Sequence, residues 1–412
     1  MSQQGEGAMV TITKEAEGYL EALADELTIS PTRYEQAVAR YESLGKWLHR
    51  DASAVKQYDP QVYSQGSFRL GTVIKPEDEN GQYDIDSVCE LAALKKDQLT
   101  QYTLKELLRV EIEAYRMAQA MVKPLGEGRR CWTLEYADGA QFHMDIVPAL
   151  PNGTSTRLLL ESRGLDAQWA GTAIAITDNK HPIFYQPTID WPRSNPKGYA
   201  AWFRSRMAVA FSRKRRKLAE AAQASIESIP EYRVVTPLQQ AIMILKRHRD
   251  QMFADRKDVK PISVILTTLS AHAYVGEETI GQALVSILTK MDRFIGFDGV
   301  RSYIPNPSDP LENFADKWAE HPERRAAFYE WLEAARRDFF YAAQVSSRQM
   351  ITDSVAPRIG RGLAERARDR AEPKPASSLL RTATAASATA AATPTFPTER
   401  RVPGKPAGFG GI

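Results

Sequence analysis

Two aspartates one residue apart, Asp84 and Asp86 in the segment YDIDSV, are the side chains of this sequence best suited to chemistry. On a strand, side chains alternate between faces. The two carboxylates therefore point one way, while Tyr83, Ile85 and Ser87 point the other. Carboxylates side by side repel each other and raise each other's pKa unless a cation sits between them. A pair of Mg²⁺ ions held by such carboxylates is how enzymes clamp a triphosphate for in-line attack by a hydroxyl. Upstream, Gln65, Gly66 and Ser67 open the segment QGSFRLGT. A Gly-Ser turn offers a phosphate tail unobstructed backbone N–H groups and a hydroxyl. An Asp-x-Asp alone is as well explained by a solvated strand end; the Gly-Ser context favours the phosphate reading.

A third carboxylate comes from a hairpin at 131–147, in which CWTLEY and QFHMDIV alternate around the turn residues 137–140. Phe142, Met144 and Ile146 share one face of its second strand; His143, Asp145 and Val147 share the other. A carboxylate inside such an apolar strand is costly unless paired or metal-bound, so Asp145 is a natural third ligand. An edge-strand aspartate facing water is the alternative. His143 is read as a packing or hydrogen-bonding residue, because Mg²⁺ prefers oxygen.

The elements that must position these residues follow from periodicity. A short helix is expected within 11–29, and a longer one after Ser30 as N-cap with Pro31 in its first turn. The apolar stripe Tyr34, Ala37, Val38, Tyr41, Leu44, Trp47, Leu48 makes the latter a spine. An amphipathic helix is expected over 101–122. Residues 148–200, rich in proline and Asn-containing turns, read as a connector with little regular structure. Beyond Gly198 the chain reads as helical. Thr236-Pro237 opens a helix with the stripe Leu238, Ala241, Ile242, Leu245. Its C-terminal Lys246, Arg247 and Arg249 also complement the helix dipole. Another helix, 262–273, is apolar almost all round and reads as the central one. Ser263 lies in its first turn, where free N–H groups can meet an anion. Further helices are expected near 277–293, 310–320 and 322–343. The basic run Arg213–Lys217 suits either nucleic acid or a solvated helix face. From about 370 the Ala/Thr/Pro/Gly-rich sequence reads as a flexible tail.

Composition narrows the class. The chain has 412 residues, 43% hydrophobic and 25% charged, with a net charge of +3 that supplies no strong field for a long nucleic acid. Its two cysteines exclude a disulfide framework and a four-cysteine zinc site, and fit a reducing cytoplasm. With no signal-like segment and no apolar run of spanning length, a cytoplasmic location without a membrane partner is expected.

With these residues in place, the chain resembles the polymerase-beta-like nucleotidyltransferases. More closely, it resembles the bacterial CD-NTases, relatives of cyclic GMP-AMP synthase and oligoadenylate synthase. The matching segments are QGSFRLGT, YDIDSV, FHMDIVPA, WPRSNPKGYAAWF, LKRHRDQMF, KPISVILTTL and IPNPSDPLENFADKW, in one order over roughly 30–345. The interval from Ser67 to Asp84 is longer than in the wider superfamily. The resemblance implies an α+β fold: a nucleotidyltransferase sheet lobe, a C-terminal helical lobe and an active site between them. The implied organisation is an N-terminal segment at 1–29, a core at 30–200, a helical lobe at 201–369 and a tail at 370–412. It implies that Asp84, Asp86 and Asp145 hold two Mg²⁺ ions (Mn²⁺ as a substitute). Gln65, Gly66, Ser67, Lys246 and Ser263 would meet the nucleotide, and the loops at 178–199 and 304–313 would border the bases. The implied reaction makes a cyclic di- or trinucleotide from NTPs, ATP among them, with an adenine-containing product in anti-phage signalling. A regulatory peptide-binding or ubiquitin-like conjugation partner at the tail, which carries Gly408, Gly410 and Gly411, is also implied. Direct sensing of double-stranded DNA is not, since the cysteines for a zinc ribbon are absent. A linear or tailing nucleotidyltransferase and a degenerate nucleotide-binding scaffold remain the alternatives.

Overall fold

The computed structural model describes residues 11–76, 81–136 and 142–372. The turn at 137–140 and the tail from 373 on, where a conjugation or partner site is expected, lie outside the described residues.

The chain begins with helix α1 (Lys14–Leu27), capped by Thr13, and α2 (Pro31–Leu48), capped by the Ser30 side chain as the sequence leads one to expect. Strand β1 (Pro60–Ser64) leads into a single short helical turn, α3 (Gly66–Leu70), and then β2 (Tyr83–Leu91). Helix α4 (Gln101–Ala118) precedes β3 (Gly126–Glu127), β4 (Trp132–Tyr136) and β5 (Phe142–Pro151). The segment 148–200, expected to be a connector, instead holds helix α5 (Gly153–Ser162), β6 (Ile174–Ile176) and β7 (Arg193–Ser194). These strands form one mixed sheet of order β1-β2-β5-β4-β3, with β6 and β7 continuing from the far end of β5. β2 and β5 run parallel; β1 and β4 flank them antiparallel. The alternation read from sequence is what buries one sheet face. Ile85, Leu134, Phe142, Met144 and Ile146 are fully buried with the stripes of α2 and α4.

The helical lobe starts with α6 (Pro196–Ala221) and α7 (Pro237–Met252), the latter opened by a reciprocal cap between Thr236 and Gln239. There follow α8 (Ser263–Ala273), α9 (Ile280–Lys290) and the short hairpin β8 (Gly296–Phe297) with β9 (Ser302–Tyr303). A second hairpin, β10 (Pro305–Asn306) with β11 (Asp309–Asn313), stands where a helix over 310–320 was expected. Prolines at 305, 307 and 310 deny that stretch a regular run of helical N–H donors. The chain then completes the lobe with α10 (Pro322–Gln344), α11 (Arg348–Ile359) and α12 (Arg361–Ala371). Helix α8 is buried from Ile265 to Ala271, as its apolar sequence leads one to expect, and α7 is buried on every side from Pro237 to Arg249. Helix α1 packs into this lobe. Ala16, Tyr19, Leu23 and Leu27 of α1 belong to the helical core, and the Tyr19 hydroxyl donates to the Ala364 carbonyl at 3.1 Å. No helix among the described residues is long and apolar enough to cross a membrane.

Candidate active site in the interlobe cleft

Because β2 and β5 are parallel and in register, Asp84 lies opposite His143 and Asp86 opposite Asp145. All four side chains project from the sheet face opposite the buried one. Asp86 is crowded by protein, and burial, then Asp145, then Asp84 push its carboxyl up to about 6, against the pull of Lys246. Burial also raises Asp84. Asp145 is held differently: Thr133 Oγ1 donates to its Oδ1, and His143 Nε2 lies 3.2 Å from the same oxygen. His143 thus stands beside Asp145 as a polar neighbour.

The Gly-Ser segment closes over this row. The Gln65 N–H donates to the Asp86 carbonyl at 2.8 Å, which fixes the entry to α3. Gly66 has φ +60°, and a Cβ there would stand 2.2 Å from Asp86 Oδ2. Only glycine permits both that backbone and that approach. Ser67 follows in the first turn of α3, whose N–H groups have no partners within the helix. The far end of α3 is tied to the other lobe, where Gln239 Nε2 of α7 donates to the Leu70 carbonyl at 2.9 Å.

A cleft of about 680 Å³ lies between the lobes, with Gly66, Ser67, Asp84 and Asp86 on one wall and Lys246, Arg249 and Ser263 on the other. Asp145 does not line it; it stands one strand further in. Lys246 is buried, and its Nζ donates to Thr72 O at 3.0 Å and Thr72 Oγ1 at 3.1 Å. Burial, helped by Arg249, brings its ammonium down to about 7, opposed by Asp250 and Asp86. Arg249 Nη1 donates to Ser263 Oγ at 2.9 Å and to the Pro261 carbonyl at 3.1 Å. Asp250 accepts from Arg249 and Lys260. Thr72, Arg249 and Lys260 were not singled out from sequence as site residues. Their signal was faint: a cation-rich helix end reads as dipole compensation until its burial is known.

The carboxylates fit a hard divalent cation by donor type, oxygen throughout, and by the raised pKa of Asp86, which a cation would reverse. They are not drawn into a ready cage. Among the described residues no group of three or more His, Cys, Asp or Glu side chains stands close enough to hold a metal.

The fold and the glycine-capped carboxylate row define an α+β nucleotidyltransferase. Residues 60–148 match the nucleotidyltransferase domain of the cyclic GMP-AMP synthase DncV-like family. A c-di-GMP synthase of Roseivirga ehrenbergii is 30% identical over 320 residues, covering 77% of this chain and 76% of that protein. The cyclic dinucleotide synthase CdnG of Bradyrhizobium diazoefficiens is 26% identical over 319 residues, 73% of this chain and 70% of that one. A solved structure of CdnG in complex with GTP superposes with a TM-score of 0.63 at 21% identity, over 85% of this chain and 98% of that one. An Escherichia coli CdnC, solved with a HORMA protein, gives a TM-score of 0.56 at 14% identity, over 84% of this chain and 96% of that one. The chain belongs to the bacterial CD-NTases.

Proposed function

We propose that the protein is a cyclic oligonucleotide synthase that joins NTPs, GTP among them, into a cyclic di- or trinucleotide with release of pyrophosphate. The observation that carries this reading is the meeting of opposite chemistries across one cleft. Asp84 and Asp86, with Asp145 in register behind them, face Lys246, Arg249 and Ser263. Two Mg²⁺ or Mn²⁺ ions held by the three carboxylates would supply charge stabilisation at the reacting phosphate and a more acidic attacking hydroxyl. The first turn of α3, with Gln65, Gly66 and Ser67, would hold the donor phosphates from the sheet side. Lys246, and Ser263 beside Arg249, would hold them from the helical side. In each step the acceptor hydroxyl oxygen bonds to the α-phosphorus and the bond to the β-phosphate breaks. Pyrophosphate then leaves, and the hydroxyl proton passes to solvent. Repetition in the same site closes the ring.

GTP is favoured by the names of the relatives, one a c-di-GMP synthase and another solved with GTP. An adenine-containing product is decided by the same assay. None of Arg213–Lys217 lines the cleft, which disfavours a tailing enzyme that grips a long RNA. Purified protein is incubated with the four NTPs and Mg²⁺, and the products are treated with phosphatase. A phosphatase-resistant product resolved as a ring by mass supports the proposal. A linear chain degraded from its ends assigns the protein to linear transfer, and no pyrophosphate release with any NTP overturns both.

A further inference from the structure

Besides its charged residues, the cleft is lined by a mixed aromatic and polar group: Tyr199, Phe314, Asn306 and Glu312. Tyr199 and Phe314 meet edge to face, with ring centroids 6.2 Å apart, and the Tyr199 hydroxyl is fixed 2.7 Å from Thr268 Oγ1. An aromatic pair in a polar cleft is a surface on which a base can stack. Glu312 is solvent-exposed, yet protein surrounds it densely enough that burial raises its carboxyl pKa. That combination marks a side chain facing a concavity. One hydrogen bond orients it, Asn306 Nδ2 donating to Glu312 Oε2 at 2.6 Å, while Asp309 repels its charge and Arg130 and Arg193 attract it. Asn306 is itself buried and locked, since its Oδ1 accepts from the Ser308 N–H at 2.8 Å and from Ser308 Oγ at 2.9 Å. Ser308 in turn donates to the Asn195 carbonyl at 3.3 Å, which clamps the β10–β11 hairpin to the start of α6.

A fixed carboxylate is an acceptor only. Guanine offers two adjacent donors on its Watson–Crick edge, N1–H and the N2 amino group. Adenine offers one donor beside the N1 lone pair, which a carboxylate repels. We propose that Glu312 reads the Watson–Crick edge of a guanine base stacked at Tyr199 and Phe314, with Asn306 as its positioning residue. This rests on the nucleotide reading of the cleft given above, and it assigns one of the two base positions; the other stays open.

The test compares wild type with Glu312→Gln, an isosteric change at an exposed side chain. Equilibrium binding of GTP and ATP is measured alongside product composition in an equimolar NTP mixture. The amide both donates and accepts, so it mismatches guanine and suits adenine. GTP affinity should fall about tenfold to a hundredfold while ATP affinity holds or rises. Asn306→Ser, which frees Glu312 to rotate, should give a smaller loss in the same direction, restored toward wild type by Asn306→Gln. The inference is overturned if wild type binds ATP no more weakly than GTP. It is also overturned if Glu312→Gln leaves the GTP preference intact or weakens both nucleotides equally. Base-selective binding that Glu312→Gln abolishes supports it even if no ring is formed, in which case only the cyclisation reading fails.

Discussion

The two walls of the cleft hold their charges in opposite ways. On the sheet wall, strand register forces Asp86 beside Asp145 and places Asp84 two residues along the same face. Burial and then these like charges raise the Asp86 pKa, and the charges are left for a cation to relieve. On the helical wall, the cations already have protein partners: Thr72 for Lys246, Pro261 and Ser263 for Arg249, and the Lys75 carbonyl for Arg247. The sheet wall is frustrated until substrate and metal arrive, whereas the helical wall is satisfied and must exchange partners. Substitutions on the first should therefore abolish turnover and spare or raise stability. Those on the second should change affinity.

The largest effect tests the frustrated wall. Asp86→Asn should reduce turnover by about 10³-fold or more, because a neutral amide cannot hold the charge that the reaction needs. The same change should raise the melting temperature of the ligand-free protein. The folded-state pKa of about 6 lies above the ordinary aspartate value of 3.8. The folded state therefore binds the proton more tightly, and this group's contribution is greatest below pH 4 and lost as pH rises through 6. At neutral pH the gain should be on the order of 2 kcal/mol, and thermal melts of both proteins from pH 4 to 8 would measure it. A variant that is both inactive and less stable would break the comparison.

Gly66→Ala probes the element that joins the walls. The new methyl must displace the Asp86 carboxylate, and the backbone must hold φ +60° with a side chain. The expected stability cost is about 1–2 kcal/mol by denaturant titration. Turnover should drop about a hundredfold, since small misplacements of reacting groups are costly. An active Gly66→Ala would show that α3 does not set the carboxylate geometry.

Legibility from sequence divides along the same line. Asp84, Asp86 and Asp145 could be read because a strand's two-residue period is local and needs no knowledge of neighbours. The facing of Asp86 and Asp145 needed only one parallel pairing more. The helical wall could not be read that way. The run LKRHR made α7 look amphipathic, but each of its polar residues finds a distant partner, such as Asp338 for His248 at 3.2 Å. Tertiary pairing overrode the local pattern. The β10–β11 hairpin and α5 were missed for related reasons. In the former, prolines and turn residues matter more than the apolar spacing. In the latter, Leu158, Leu159 and Leu160 adjoin without helical period, and only Leu160 is fully buried. The helix within 11–29 was legible as α1, but nothing local says that a helix at one end of a chain packs against α12 at the other.

On the satisfied wall, Lys246 gives a pH signature. Burial, helped by Arg249, brings its ammonium down to about 7, well below the ordinary lysine value of 10.5. The positive charge is present below that pH and lost above it. Triphosphate affinity should weaken by up to about tenfold per pH unit above 7, and Lys246→Met should flatten the profile while costing affinity at pH 6. Equilibrium binding of a non-reacting triphosphate between pH 6 and 9 measures both. A slope that survives in Lys246→Met would assign the titration elsewhere.

The smallest effect belongs to Ser263→Ala. The change removes the hydroxyl that accepts from Arg249 Nη1, but the Pro261 carbonyl remains bonded to the same nitrogen, and Asp250 holds the other edge of the guanidinium. No buried charge is orphaned, so the stability cost should stay below about 1 kcal/mol. If Ser263 meets the triphosphate in ground state and transition state alike, KM should rise about threefold to tenfold with kcat unchanged. A fall in kcat instead would mean that the Arg249–Ser263 pair tightens on the reacting phosphate, and the helical wall would then share in catalysis.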